Sequence, residues 1–127
     1  IGIYIGYNDA LAHLVYASSD FFLMPSLFEP CGLGQMIAQR YGTLPIVRRT
    51  GGLRDSVINF DSSNEATSNG FGFDKYSADD LKYTSIYAYD NWFNKKLFER
   101  LCRNAMNTDN TWKKSATLYL GMYKSMR

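Results

Sequence analysis

Apolar residues in this chain follow two periods. Residues 1–5, rich in Ile and Tyr, read as a short strand. The apolar run at 20–25 reads as a strand covered on both faces, and 44–47 as a third, with Pro45 tolerated near its start. Between the strands the spacing turns helical. Asn8 supplies an N-cap and Asp9 an acidic first turn to a helix whose apolar face is Ala10, Leu11, Leu14 and Val15. Leu33, Met36, Ile37, Arg40 and Tyr41 mark a second helix, which Gly42 stops as its C′ residue. A short helix follows Thr50-Gly51-Gly52, over 53–58. Residues 59–69 are polar and read as a surface loop, and 70–73 as a last strand. The remaining pattern predicts three helices: one over 78–88, one marked by Trp92, Phe93, Leu97, Leu101 and Ala105, and one by Trp112, Ala116, Leu120 and Tyr123. Strand alternating with helix implies an α/β fold, a Rossmann-like parallel sheet with helices on both faces, followed by C-terminal helices.

Composition narrows the function. A chain of 127 residues, 46% hydrophobic, is the size of one domain and can bury a core. Lys plus Arg is 14 and Asp plus Glu is 12, with no basic stripe, so neither nucleic acid nor an anionic membrane is expected as a partner. The apolar runs are too short to span a bilayer. Cys31 and Cys102 form no disulfide framework, which implies free thiols and a reducing cytoplasm. The single His13 excludes a His-based metal cluster and reads as a surface helix residue. The first residues lack both a starting Met and a basic n-region, and read as an internal segment rather than a signal peptide.

The chemistry concentrates in Ser26-Leu27-Phe28-Glu29-Pro30-Cys31-Gly32-Leu33-Gly34-Gln35, between a strand and a helix. In open parallel sheets, ligands sit beyond the carboxyl ends of the strands, where this stretch falls. Pro30 has the φ to begin a helix and lacks an N–H that would be orphaned there. The free N–H groups of a first helical turn favour an anion or hydroxyl oxygens. Gly32 and Gly34 leave room for a ligand to approach the backbone, and Glu29 adds an acceptor suited to sugar hydroxyls. Glu29 sits awkwardly beside a bare phosphate, so a ligand with polyol and phosphate parts fits best. The plainer reading is a Gly-rich turn, with Cys31 as a small buried hydrophobe.

The stretches IGYNDALAH, SSDFFLMPSLFEPCGLGQ, RYGTLPIVRRTGGLRDSV and NGFGF resemble the C-terminal domain of bacterial glycogen synthase and plant starch synthase, glycosyltransferase family five. They cover most of residues 1–80; beyond Ala78 the likeness rests on helical pattern and TWKKSA. The resemblance implies part of a GT-B C-terminal domain, with a nucleotide-sugar-binding part over 1–80, helices over 81–127, and a separate N-terminal GT-B domain outside this sequence. It implies glucose transfer from ADP-glucose (UDP-glucose in some relatives) to an α-1,4-glucan, with retained configuration and no metal or other cofactor. Glu29 and the N–H groups of Cys31, Gly32 and Leu33 would meet the donor glucose. Tyr7, Gly34 and Thr50 would contact the nucleotide portion, Tyr7 by stacking on the base. A half-buried strand-end aromatic is the plain alternative for Tyr7. The location implied is cytoplasmic, or plastid in a plant.

Two positions depart from the family pattern. Gly34 stands where many relatives carry a hydroxyl residue, and Ile37 where sister families carry a second Glu. Arg48 and Arg49 match a loop bordering the cleft but read equally well as solvated surface cations. The catalytic His and the diphosphate-clamping Arg and Lys of the family match nothing here, so no catalytic residue is assigned to this chain. A non-catalytic interaction or regulatory domain with the same half-fold is the competing reading. A receiver-like domain would need a carboxylate cluster at strand ends, and Glu29 alone is not one. With residues 1–5 as strand 3 and the run at 20–25 as strand 4, the order 3-2-1-4-5-6 lacks its middle strands. Either strand 3 slides beside strand 4, giving 3-4-5-6, or another chain fills the gap. The chain by itself is therefore expected to be inactive, to bind ADP weakly and to self-associate.

Overall fold

A computed structural model describes residues 2–126. Its elements are α1 (Asp9–Ser18), β1 (Phe21–Met24), α2 (Gly34–Tyr41), β2 (Leu44–Arg48), α3 (Gly52–Ser56), β3 (Phe71–Phe73), α4 (Ala78–Trp92), α5 (Lys95–Asn107) and α6 (Trp112–Ser125). The three strands form one parallel sheet in the order β1-β2-β3. Met24 pairs with Val47 and Arg48 with Phe73, so the carboxyl ends of all three strands finish at one edge. None of the helices is long and apolar enough to cross a membrane, among the described residues.

Alternation along β2 divides the core between the two faces of the sheet. Leu44 and Ile46 join Phe71, Ala88, Leu101 and Ala105 beneath α4 and α5. Val47 joins Leu53 and Val57 on the α3 side, with Met24 against them. Local signals read from sequence hold at several ends. The Asn8 side chain accepts from the Leu11 N–H at 3.0 Å and caps α1. Gly42 ends α2 with φ +82°, and the N–H groups of Gly42 and Thr43 return to Gln39 and Ala38.

Several expectations need correction. Residues 2–5 form no strand, and Ile5 is 94% exposed; Ile1 lies outside the described residues. A strand exists only through a partner's hydrogen bonds, and among the described residues none is offered to this segment. The order 3-4-5-6 is thus not adopted, and β1 stays at the sheet edge with Leu23 49% exposed rather than covered on both faces. Pro30 does not begin α2, which starts four residues later at Gly34. The face of α2 that looked apolar is not its buried face. Leu33, Met36, Ile37 and Tyr41 line an open groove of about 620 Å³ with Met106, while Gln35, Ala38 and Gln39 are buried. Trp92 closes α4 instead of opening α5, and Asn94 caps α5 through the Leu97 N–H at 3.3 Å. Helix α6 forms as expected, but buries none of its residues, with Trp112 90% exposed; in α1, likewise, Leu14 and Val15 remain exposed.

Candidate functional site

Three loops leave the carboxyl edge of the sheet: residues 25–33 after β1, 49–51 after β2 and 74–77 after β3. The first carries the candidate ligand groups, and the other two hold it. At its start, the Arg48 Nε donates to the Ser26 carbonyl at 2.8 Å, and a second guanidinium N–H of Arg48 donates to the Leu27 carbonyl. The same guanidinium lies 5.7 Å from the centre of the Tyr76 ring. Arg48 is therefore a clamp on the loop rather than a solvated cation. Its neighbour Arg49 lies 3.7 Å from Asp74, which also stands 3.8 Å from Arg54. Neither Tyr76 nor Asp74 stood out in the sequence, because only the fold brings the β3 loop beside the other two.

The middle of the loop packs backbone to backbone against Thr50-Gly51-Gly52. The Gly52 N–H donates to the Pro30 carbonyl at 3.0 Å. A Cβ on Gly51 would stand 2.1 Å from the Glu29 carbonyl oxygen, and one on Gly52 would stand 2.5 Å from that of Cys31. Gly51 also has φ +46°, a region L-residues rarely adopt. Thr50 sits half-buried at this junction, its N–H on the Arg48 carbonyl at 2.8 Å. The glycines inside the candidate stretch also serve internal packing. The Cβ direction of Gly34 is filled by Phe22 at 3.0 Å and the Tyr16 hydroxyl at 3.3 Å, and that of Gly32 (φ +71°) by the Gln35 side chain. The space those glycines were expected to leave for a ligand is thus occupied by the protein on that side of the backbone.

At its end the loop turns its carbonyls inward. Gln35 Nε2 donates to the carbonyls of Cys31 and Gly32 at 3.1 and 2.9 Å. Together with the Pro30 contact, three consecutive carbonyls face the body of the protein. In a planar trans peptide the carbonyl of one residue and the N–H of the next point in opposite directions. No peptide here is cis. The N–H groups of Cys31, Gly32 and Leu33 consequently face away from the body, and no hydrogen bond engages them among the described residues. The first backbone bond of α2 is from the Ile37 N–H to the Leu33 carbonyl at 2.9 Å, so Gly34, Gln35 and Met36 add the orphan N–H groups of a helix start. Glu29 is half-buried, five residues beyond β1, and its carboxylate has no hydrogen-bond or ion-pair partner among the described residues. The result is an acceptor beside a row of donors, a set that suits hydroxyls followed by an anion.

Tyr7 is 92% exposed and precedes the α1 cap rather than ending a strand. It borders a shallow groove with Tyr4, Leu11, Tyr16 and Phe22. Tyr16 and Phe22 are the rings that pack on Gly34, so the Tyr7 groove runs to the start of α2. Of the two thiols, Cys31 is exposed and Cys102 half-buried. Burial, then the charge of Asp20, pushes the Cys102 thiol up to about 11. At pH 8 only about 0.1% of such a thiol is thiolate. Iodoacetamide is therefore expected to label Cys31 well before Cys102, as read by peptide mass spectrometry; equal rates would contradict the buried placement of Cys102.

The model of the family described as glycosyl transferases group 1 matches residues 3–108. The chain belongs to that family. A glycogen synthase of Bacillus anthracis is 51% identical over 126 residues, 99% of this chain and 26% of the relative. One from Clostridium botulinum (strain Alaska E43 / Type E3) is 53% identical over 124 residues, 96% of this chain and 25% of the relative. The catalytic domain of starch synthase IV from Arabidopsis thaliana, described as bound to ADP and acarbose, superposes with a TM-score of 0.85 at 42% identity. That match covers 95% of this chain and 25% of the plant protein. The chain thus spans about a quarter of the length of these transferases, and the α/β expectation and the resemblance to glycogen and starch synthases both hold.

Proposed function

We propose that this chain forms the donor side of a retaining glucosyltransferase that extends an α-1,4-glucan from ADP-glucose. The observation that carries the reading is the loop 29–34: a carboxylate and three outward N–H groups at the carboxyl edge of a parallel sheet. Its sequence lies within a match to a starch synthase described with ADP and acarbose bound. Glu29 and the N–H groups of Cys31, Gly32 and Leu33 hold the glucosyl hydroxyls. The start of α2 at Gly34, with Thr50 nearby, faces the phosphates, and Tyr7 stacks on the base.

This chain's part in the chemistry is electrostatic. The free N–H groups at the start of α2 stabilise negative charge as the diphosphate departs, while positive charge builds on the sugar. The departing phosphate serves as base for the acceptor hydroxyl, so the chain supplies no nucleophile. We place the work in the cytoplasm, or the plastid in a plant.

The test is glucosyl transfer to glycogen by a full-length synthase carrying this sequence, with ADP-glucose and UDP-glucose assayed side by side. Transfer with preference for ADP-glucose is expected; no transfer from either donor would contradict the function. Tyr7→Ala should weaken ADP binding about tenfold in calorimetry, since base–aromatic stacking is worth roughly 1–3 kcal/mol. Tyr7→Phe should change it little, because the ring face makes the contact.

A further inference from the structure

Resting on that function, we infer that Gln35 is a positioning residue, which sets the direction of two of the three donor N–H groups and thereby the enzyme's grip on the glucosyl unit. Gln35 is 0% exposed, although it lies in the first turn of a helix on the ligand side of the sheet. The two hydrogens of its Nε2 are shared among three acceptors: the Cys31 carbonyl at 3.1 Å, the Gly32 carbonyl at 2.9 Å and the Ser56 Oγ at 3.0 Å. Its Oε1 is buried without a partner.

A buried amide with one end crowded and the other unpaired carries a cost, since an unsatisfied buried acceptor loses its water for nothing. An apolar side chain of similar volume would fill the same space without it. The carboxamide does what an apolar group cannot: it holds two successive carbonyls inward. Turning the amide over would place Oε1 against those carbonyl oxygens, so its orientation is fixed by the loop it fixes. By the antiparallel geometry of the trans peptide, the inward Cys31 carbonyl directs the Gly32 N–H outward, and the inward Gly32 carbonyl directs the Leu33 N–H outward. The third, Cys31, is directed separately, by the Gly52 contact to Pro30.

Ser56 ties the two restraints together. Its hydroxyl accepts from Gln35 and donates to the Gly52 carbonyl at 2.7 Å. One turn further along α2, the buried Gln39 Nε2 donates to the Ser56 carbonyl at 3.1 Å. Helix α2 and the two ends of α3 are thereby joined through two side-chain amides and one hydroxyl, and the loop is held from behind.

The test uses Gln35→Met, which keeps length and volume but loses the donors, and Gln35→Glu, whose buried carboxyl offers at most one O–H where the amide offers two N–H donors. In the full-length synthase, both should lower kcat/KM for ADP-glucose at least thirtyfold, while the Kd for ADP stays within threefold. A purely packing role would instead lower the melting temperature and the active fraction, with ADP and ADP-glucose binding lost in parallel; that outcome overturns the inference. So does wild-type kcat/KM in folded Gln35→Met. Should the wild-type synthase fail to use ADP-glucose, the proposed function falls, and a crystal structure of Gln35→Met decides the positioning separately. Cys31 and Gly32 carbonyls turned from their inward direction would support it; carbonyls still inward would overturn it. If Gln35→Met does not fold, the same measurements on Gln35→Glu decide.

Discussion

In a full-length synthase carrying this sequence, Gly51→Ala is expected to lower kcat/KM for ADP-glucose by about a hundredfold. The new methyl carbon would lie 2.1 Å from the Glu29 carbonyl oxygen, and real contacts of this kind are not found under 3.0 Å. The carbonyl must withdraw by roughly 1 Å, and a misplacement of that size can cost about 10²-fold in rate. Backbone strain adds to the displacement. Gly51 has φ +46° and ψ −136°, and sparsely populated conformations of this kind cost an L-residue about 1–3 kcal/mol. The protein can relieve the clash by moving the loop that bears Glu29 or the 49–51 loop that packs against it, and either shift disturbs the donor side, so activity should fall further than stability does. Steady-state kinetics alongside thermal unfolding will show the split. A folded Gly51→Ala protein with wild-type turnover would mean that contact between the two loops does not position the donor.

In the same full-length synthase, Glu29→Ala should lower kcat/KM at least tenfold, about 1.4 kcal/mol of transition-state stabilisation. A hydrogen bond to a charged group contributes about 1.5–3 kcal/mol, which allows a larger loss. The Glu29 carboxylate has no partner among the described residues, so its removal leaves no orphaned protein group behind. The melting temperature should therefore barely move. Near-normal kcat/KM in the variant would remove Glu29 from the donor site.

The contrast between these two residues shows what the sequence could convey. Glu29 stood out because a carboxylate between a strand and a Gly-rich helix start is a local pattern, and both flanking elements formed nearly where the pattern put them. The Asn8 cap and the Gly42 stop were legible for the same reason. Gly51 read only as part of the stretch before a short helix, because the carbonyl that demands it comes from 22 positions earlier in the chain. Arg48 read equally well as a cleft-bordering residue and as a surface cation, because its acceptors are backbone carbonyls, which have no signature in sequence. Gln35 and Gln39 were hidden by hydrophobic periodicity itself. That pattern assumes apolar residues turn inward, whereas α2 buries two amides against carbonyls and a serine hydroxyl and leaves Leu33 exposed. Residues 2–5 misled in the opposite way: Ile and Tyr favour strands only where a neighbouring strand accepts them.

The central assignment is the loop 29–34 as the seat of the donor glucose. The most direct measurement is a crystal structure of a full-length synthase carrying this sequence, with ADP-glucose bound. Glucosyl hydroxyls within hydrogen-bond distance of the Glu29 carboxylate and of the Cys31, Gly32 and Leu33 N–H groups are expected. A glucosyl unit bound elsewhere, with those N–H groups meeting only water, would contradict the assignment.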